Sequence, residues 1–199
     1  MGDVERVIEA VKAGEPVLLP TDTVYGLATS AQREDYATRV YRLKGREVTQ
    51  PTALLASSIE SLLECLPELT GRSAVIVRAL LPGPYTLILP NTAGRFPELA
   101  GGETIGIRVP VLTGPAAEIL GQAGAVAATS ANLHGGTDPR RLEDVPPELR
   151  RACAAEVDGG ELPGLPSTVV DLTGPEPRVL REGAVPAAEA LRRLGGRAE

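Results

Sequence analysis

The stretch Leu18–Ala28, LLPTDTVYGLA, decides how the rest of the chain is read. It begins as an apolar run of the kind that forms a buried strand, then breaks into Thr21-Asp22-Thr23 beside Tyr25-Gly26. Three polar side chains at the end of a buried strand either build a tight turn or hold something. An Asx or Ser/Thr turn accounts for them when they are taken alone. Their place at a strand end also suits binding groups on a loop carried by a rigid element.

Outward from this stretch, strands and helices interleave. Asp3 to Ala13 carries Val4, Val7, Ile8 and Val11 at helical spacing, with Gly14 as its stop. Glu34 to Leu43, Ser58 to Leu66, Ala74 to Leu81 and Ala187 to Leu194 read as further helices. So does the segment that Thr113-Gly114-Pro115 caps. Pro16 to Pro20, Thr52 to Ala56, Tyr85 to Leu89, Thr104 to Val109, Ala125 to Thr129, Ser167 to Leu172 and Arg178 to Leu180 read as strands. Their order has no strict βαβ period, which predicts an α/β fold with a mixed, twisted sheet and helices packed on it. The 199 residues suit one domain, 1–199. His134 to Pro147 is the longest polar, Pro-rich interruption and reads as a mobile loop.

The bulk composition excludes several classes. Charged residues make up 23% and hydrophobic ones 43%, as in globular chains. No apolar run approaches the roughly 20 residues that cross a bilayer, and the charged N-terminus lacks a signal peptide's apolar segment. A cytoplasmic location without membrane association is expected. One His and two Cys cannot supply a Cys/His structural zinc site, and no metal-ligating residues are expected. The net charge of -6 and the 3% aromatic content argue against an extended nucleic-acid surface. They leave room for a local basic cavity.

Polar residues adjoin strand or helix ends in PTDTVYGL, LKGREVTQP, ETIGIRVP, ATSANLHGG, PSTVVDL and VLREG. Singly, each has a plain explanation. Lys44-Gly45-Arg46 suits a helix C-terminus, Ser130 and Asn132 suit caps, and Ser167-Thr168 suit a strand. Arg108 is harder to explain away, because a cation inside an apolar strand must be paired. Together, Lys44, Arg46, Arg108 and Arg181 adjoin hydroxyls and an amide, a set suited to a phosphate chain and a carboxylate. There is no Walker A loop and no G-x-G-x-x-G fingerprint. These patterns alone lead to an anion-binding α/β enzyme.

The ordered set PTDTVYGLA, KGR followed by Pro51, PGPYTLILP, TIGIRVP, TSAN and STVVDL…VLREG resembles the YrdC-like family, the threonylcarbamoyl-AMP synthases of tRNA modification. The resemblance runs from about Val17 to Gly183. It implies a single YrdC-like domain around a deep basic cavity, in the short form without a second domain. It implies a nucleotidyltransferase that forms L-threonylcarbamoyladenylate and pyrophosphate from L-threonine, bicarbonate (or CO2) and ATP, with Mg2+ on the phosphates. Partner proteins then transfer the group to tRNA, giving N6-threonylcarbamoyladenosine.

Carried over by position, Lys44, Arg46, Ser130 and Asn132 form a catalytic tetrad. Arg46, Gln50, Thr104, Asn132 and Arg181 contact ATP, and Arg140 supplies a covering contact from its loop. Thr23, Arg108, Ser130 and Ser167 contact L-threonine, with Arg108 on the carboxylate. Some members carry a His where this chain has Thr52-Ala53-Leu54-Leu55. The loop 134–147 is expected to order over ATP, with a plain solvated loop as the other reading. Two alternatives stand beside the synthase: a tRNA or double-stranded-RNA binding module, and a carbamoyltransferase domain using carbamoyl phosphate.

Overall fold

The apolar run that opens at Val17 ends where Thr21 folds the chain back. Its Oγ1 accepts the backbone N–H of Thr23 and of Val24, each at 3.2 Å, and donates to the Val24 carbonyl at 2.7 Å. That Ser/Thr turn makes a hairpin. The computed structural model describes residues 2–32, 36–44, 52–99 and 102–195. Arg46, Gln50 and the expected start of the second helix at Glu34 lie outside them.

Along the chain run α1 (Asp3–Lys12), β1 (Val17–Pro20), β2 (Tyr25–Ser30), α2 (Tyr36–Lys44), β3 (Ala53–Leu55), α3 (Ile59–Cys65), α4 (Gly71–Leu80), β4 (Tyr85–Pro90) and β5 (Thr104–Arg108). Then come α5 (Gly114–Ala123), β6 (Val126–Ser130), α6 (Pro147–Ala152), β7 (Ala155–Glu156), β8 (Thr168–Asp171), β9 (Arg178–Arg181) and α7 (Ala187–Arg193). The described strands form one mixed sheet in the order β7-β1-β2-β6-β3-β5-β4-β8-β9. β1–β2, β2–β6, β3–β6, β4–β5 and β8–β9 are antiparallel. β1–β7, β3–β5 and β4–β8 are parallel. The expected mixed α/β architecture is present.

Three described elements were not expected: β2, α6 and β7. β2 is buried along its whole length, yet Gly26, Thr29 and Ser30 disguise it as a polar break. Thr29 settles its hydroxyl on the Gly14 carbonyl at 3.0 Å, which makes a buried threonine tolerable. α6 and β7 are short and follow two prolines, so periodicity had little to act on.

The helices cover the sheet in groups. Val7, Ile8 and Val11 of α1 and Ile119 and Leu120 of α5 pack with Val17, Leu19, Ala28 and Val126. Leu62 of α3 and Val77 and Leu80 of α4 pack with Leu54, Leu87, Leu89, Ile105 and Ile107. Val40 of α2 and Leu149 of α6 cover Leu18, Tyr25 and Leu27. Each such side chain contributes about 1.5–3 kcal/mol by leaving water. No helix among the described residues is long and apolar enough to cross a membrane.

Strand alternation then leaves one sheet face for other use. On β5, Ile105 and Ile107 enter the core while Thr104, Gly106 and Arg108 line a cavity. On β4, Leu87 and Leu89 enter the core while Thr86 and Ile88 line the same cavity.

Candidate active site

The cavity holds about 560 Å3, within the usual range for small-molecule sites. Its lining includes Gly26, Ala53, Gly106 and Ala128. Four strands thus present hydrogen or methyl groups where bulkier side chains would fill the space. Thr104, Arg108, Ser130, Ser167 and Arg181 are also in the wall. Five residues expected at a common site therefore share one cavity, although they come from β5, β6, the approach to β8, and β9.

Lys44, at the end of α2, is 1% exposed. Its ammonium donates to the Ser130 carbonyl at 2.5 Å, to Asn132 Oδ1 at 3.0 Å and to Thr129 Oγ1 at 3.2 Å. A buried cation must be met this way. Asn132 Oδ1 also accepts from Ser130 Oγ at 2.7 Å. The Asn132 amide donates to the Gly136 carbonyl at 2.6 Å and to Asp138 Oδ1 at 3.1 Å. Lys44, Ser130 and Asn132, three of the expected four, are thus bonded directly to each other. Arg46, the fourth, lies outside the described residues, as does Gln50.

At the other end, Arg108 Nη2 donates to Asp22 Oδ1 and, at 2.7 Å, to Thr23 Oγ1. Burial holds the guanidinium's pKa below its ordinary value; the Asp22 carboxylate offsets part of this, and the nearby Arg181 cation adds to it. Thr23 was expected at the substrate itself. It is fully buried and does not line the cavity; its hydroxyl meets Arg108 instead.

Ser167 Oγ lies 2.8 Å from Thr86 Oγ1, and Arg181 Nη2 donates to the Ser167 carbonyl at 2.9 Å. Gly183 packs so closely here that a Cβ would lie 2.1 Å from the Pro166 carbonyl oxygen and 2.7 Å from Ser167. We expect Gly183→Ala to cost about 1–3 kcal/mol through this overlap and to displace Ser167. A urea unfolding curve, with an unshifted midpoint as the contrary result, checks it.

The loop 134–147 is tied down at several points. The Tyr25 N–H donates to the Pro139 carbonyl at 3.0 Å. Asp144 accepts from the backbone of Arg140 and Arg141 at 3.2 and 2.9 Å. Both arginines pair with Glu161, at 2.7 and 2.6 Å. Arg140, expected to cover the nucleotide, is turned to Glu161 and is absent from the cavity wall, whereas Asp138 of the same loop is in it. Around the corner, the segment after Asp158 crosses the hairpin. Tyr25 Oη accepts the Gly159 N–H at 2.9 Å, and the Gly164 N–H donates to the Thr23 carbonyl at 2.9 Å. Burial, helped by the Asp158 carboxylate, pushes the Tyr25 phenol up to about 12, so it stays protonated.

Sequence reasoning passed over Asp22, Thr86 and Asp138. Thr86 had a legible signal: it is a polar residue in phase with Ile88 on an apolar strand. Thr52, Ala53 and Leu55, where some members carry a His, are in the cavity wall.

Fold and site define an α/β protein with a mixed sheet, one face of which carries a polar, cation-bearing cavity sized for small molecules. Comparison with known proteins narrows this class. The Sua5/YciO/YrdC family model, described as "Telomere recombination", matches residues 9–183. A Pyrococcus abyssi protein named threonylcarbamoyl-AMP synthase is 32% identical over 93% of this chain and 55% of its own length. A Mycobacterium tuberculosis relative is 33% identical over 94% of this chain and 87% of its own. The structure of Pyrococcus abyssi Sua5 complexed with L-threonine superposes with a TM-score of 0.87 at 30% identity, covering 96% of this chain and 57% of that one. The chain belongs to the Sua5/YciO/YrdC family, and it spans little more than half the length of its Pyrococcus relative.

Proposed function

We propose that the chain is an L-threonylcarbamoyladenylate synthase, a nucleotidyltransferase that consumes L-threonine, bicarbonate (or CO2) and ATP and releases pyrophosphate. The observation that carries this reading is the gathering of Thr104, Arg108, Ser130, Ser167 and Arg181 in the wall of one cavity. A threonine-bound relative with the same fold adds support.

In this reading the site has two ends. Arg108 and Ser167 hold threonine, the guanidinium meeting its carboxylate. Thr104, Asn132 and Arg181, with Arg46 and Gln50, hold ATP. Threonine's amine must be uncharged to take up CO2. A carbamate oxygen then attacks the α-phosphorus, and the bond to the pyrophosphate oxygen breaks. Little covalent work falls to the protein, so positioning and charge stabilisation dominate. Lys44 bonds to the Ser130 carbonyl and to Asn132. Of the three, Ser130 is in the cavity wall, and in this reading Lys44 acts by holding Ser130 and Asn132 for the reacting groups.

Magnesium supplies charge neutralisation on the phosphates when bound. Among the described residues, Asp138 is the carboxylate in the cavity wall. Among the described residues no cluster of three or more His, Cys, Asp or Glu could hold a metal. That donor set fits a magnesium ion bound mainly by phosphate oxygens and water. The product, a mixed anhydride, passes to partner enzymes that modify tRNA.

Pyrophosphate release should require ATP, bicarbonate and threonine together. Valine should be rejected more sharply than serine. A site that bonds a hydroxyl strongly rejects an analogue without it, whereas one methyl is worth about 1–3 kcal/mol. Equal turnover of the three amino acids, or release without any, would overturn the assignment.

A further inference from the structure

The reaction as proposed leaves Asp22 without a task, yet the fold commits both of its oxygens. Oδ1 accepts from Arg108 Nη2, and Oδ2 accepts the Val111 amide N–H at 3.1 Å. The Asp22 and Arg108 side chains are 10% and 9% exposed. The Ser/Thr turn at Thr21 fixes the backbone that carries Asp22, so the carboxylate is held from both sides.

A buried ion pair needs a reason beyond its Coulomb energy, because desolvating two charges offsets most of the attraction. Asp22 also works against the obvious purpose of Arg108. A carboxylate bonded to a guanidinium halves its appeal to an external anion. What it provides is direction and selectivity. The guanidinium is a planar fork of five donors. With Nη2 held by Asp22 and Thr23, that plane cannot swing. The Nε–H of the same group is buried and has no partner among the described residues. An ion pair serving stability alone would not leave an orphan donor beside it. A ligand carboxylate meets the guanidinium on the side that Arg108 presents to the cavity.

We propose that Asp22 is a positioning and specificity-determining residue. It orients Arg108 for a single carboxylate, and it cancels enough positive charge to keep phosphate chains from the amino-acid end of the cavity. The inference rests on the threonine reading above and deepens it. Two anionic substrates share one cavity, and both would favour an unscreened arginine. A neutralised guanidinium still makes directed hydrogen bonds to a monoanion but offers little to a polyanion. Arg181, bonded to the neighbouring Ser167 and without a carboxylate partner among the described residues, then receives the phosphates.

Asp22→Asn tests this, with Asp22→Glu retaining the charge one methylene further out. Threonine binding to the unaltered protein is measured first by calorimetry, then steady-state kinetics with pyrophosphate as an added competitor. For Asp22→Asn, KM for threonine should rise at least about tenfold, the scale of one misdirected charge-assisted contact, with the loss larger in KM than in kcat. KM for ATP should change less. Pyrophosphate should now compete with threonine, and Asp22→Glu should restore part of the discrimination. Equal losses for threonine and ATP without new competition would mean a purely structural Asp22 and overturn the proposal. So would unchanged threonine binding. Absence of threonine binding in the unaltered protein would instead remove the functional reading on which the proposal stands.

Discussion

Replacing Lys44 with methionine lowers turnover at least about a hundredfold while ATP still binds. The ammonium bridges Thr129, Ser130 and Asn132. Hydrogen bonds to a charged group are worth about 1.5–3 kcal/mol each, and roughly 2.7 kcal/mol already amounts to a hundredfold. Methionine fills much the same volume but donates nothing. Asn132 Oδ1 then loses its charged donor and keeps Ser130, while its amide still bonds to Gly136 and Asp138, so the loss falls on the charge beside Ser130 and Asn132. Single-turnover pyrophosphate release, beside nucleotide binding measured on the same sample, separates chemistry from affinity. Full turnover in the variant would reduce the lysine to a helix-end cation.

The second large effect falls on folding. Arg108→Ala leaves the Asp22 carboxylate, 10% exposed and bonded to the Val111 amide, without its cation. Stability should drop by about 3–5 kcal/mol, the penalty of an uncompensated buried charge. The double variant Asp22→Ala/Arg108→Ala should recover most of that loss, because the charge and its orphaned partner disappear together. Urea unfolding of the two single variants and the double variant gives the coupling directly. Additive losses would mean that the two side chains do not interact in solution.

Much of this architecture was legible because it is written in local patterns. Helices such as α1 and α5 follow from spacing and caps, and β4 and β5 from alternation. β2 was hidden for a reason that lies outside any local window. It is buried along its whole length although it carries Gly26, Thr29 and Ser30, and it needs Gly14 as an acceptor for Thr29. The site divides in the same way. Arg108 stood out as a charge in an apolar strand. Its partnership with Asp22 is a meeting of distant segments, and the turn reading of Asp22 was true as far as it went: Thr21 does build that turn. Thr23 shows the converse. Its neighbours suggested a ligand, whereas its burial gives it to Arg108. Arg140 was placed by its loop, and Glu161, from a segment that gave no signal, decides its direction.

The floor of the cavity separates two properties that most sites entangle. Gly26, Ala53, Gly106 and Ala128 set how much room there is, and none of them carries a polar side-chain group. The rim of hydroxyls and cations sets what is held. Growth of a floor residue by one or two carbons would shrink the accepted substrate without disturbing any ligand-facing bond. Exchange of a rim residue would alter affinity at constant capacity. Such a scaffold can drift between guests of different size while keeping its grip, so divergent relatives can differ in substrate through changes that no survey of polar motifs would reveal.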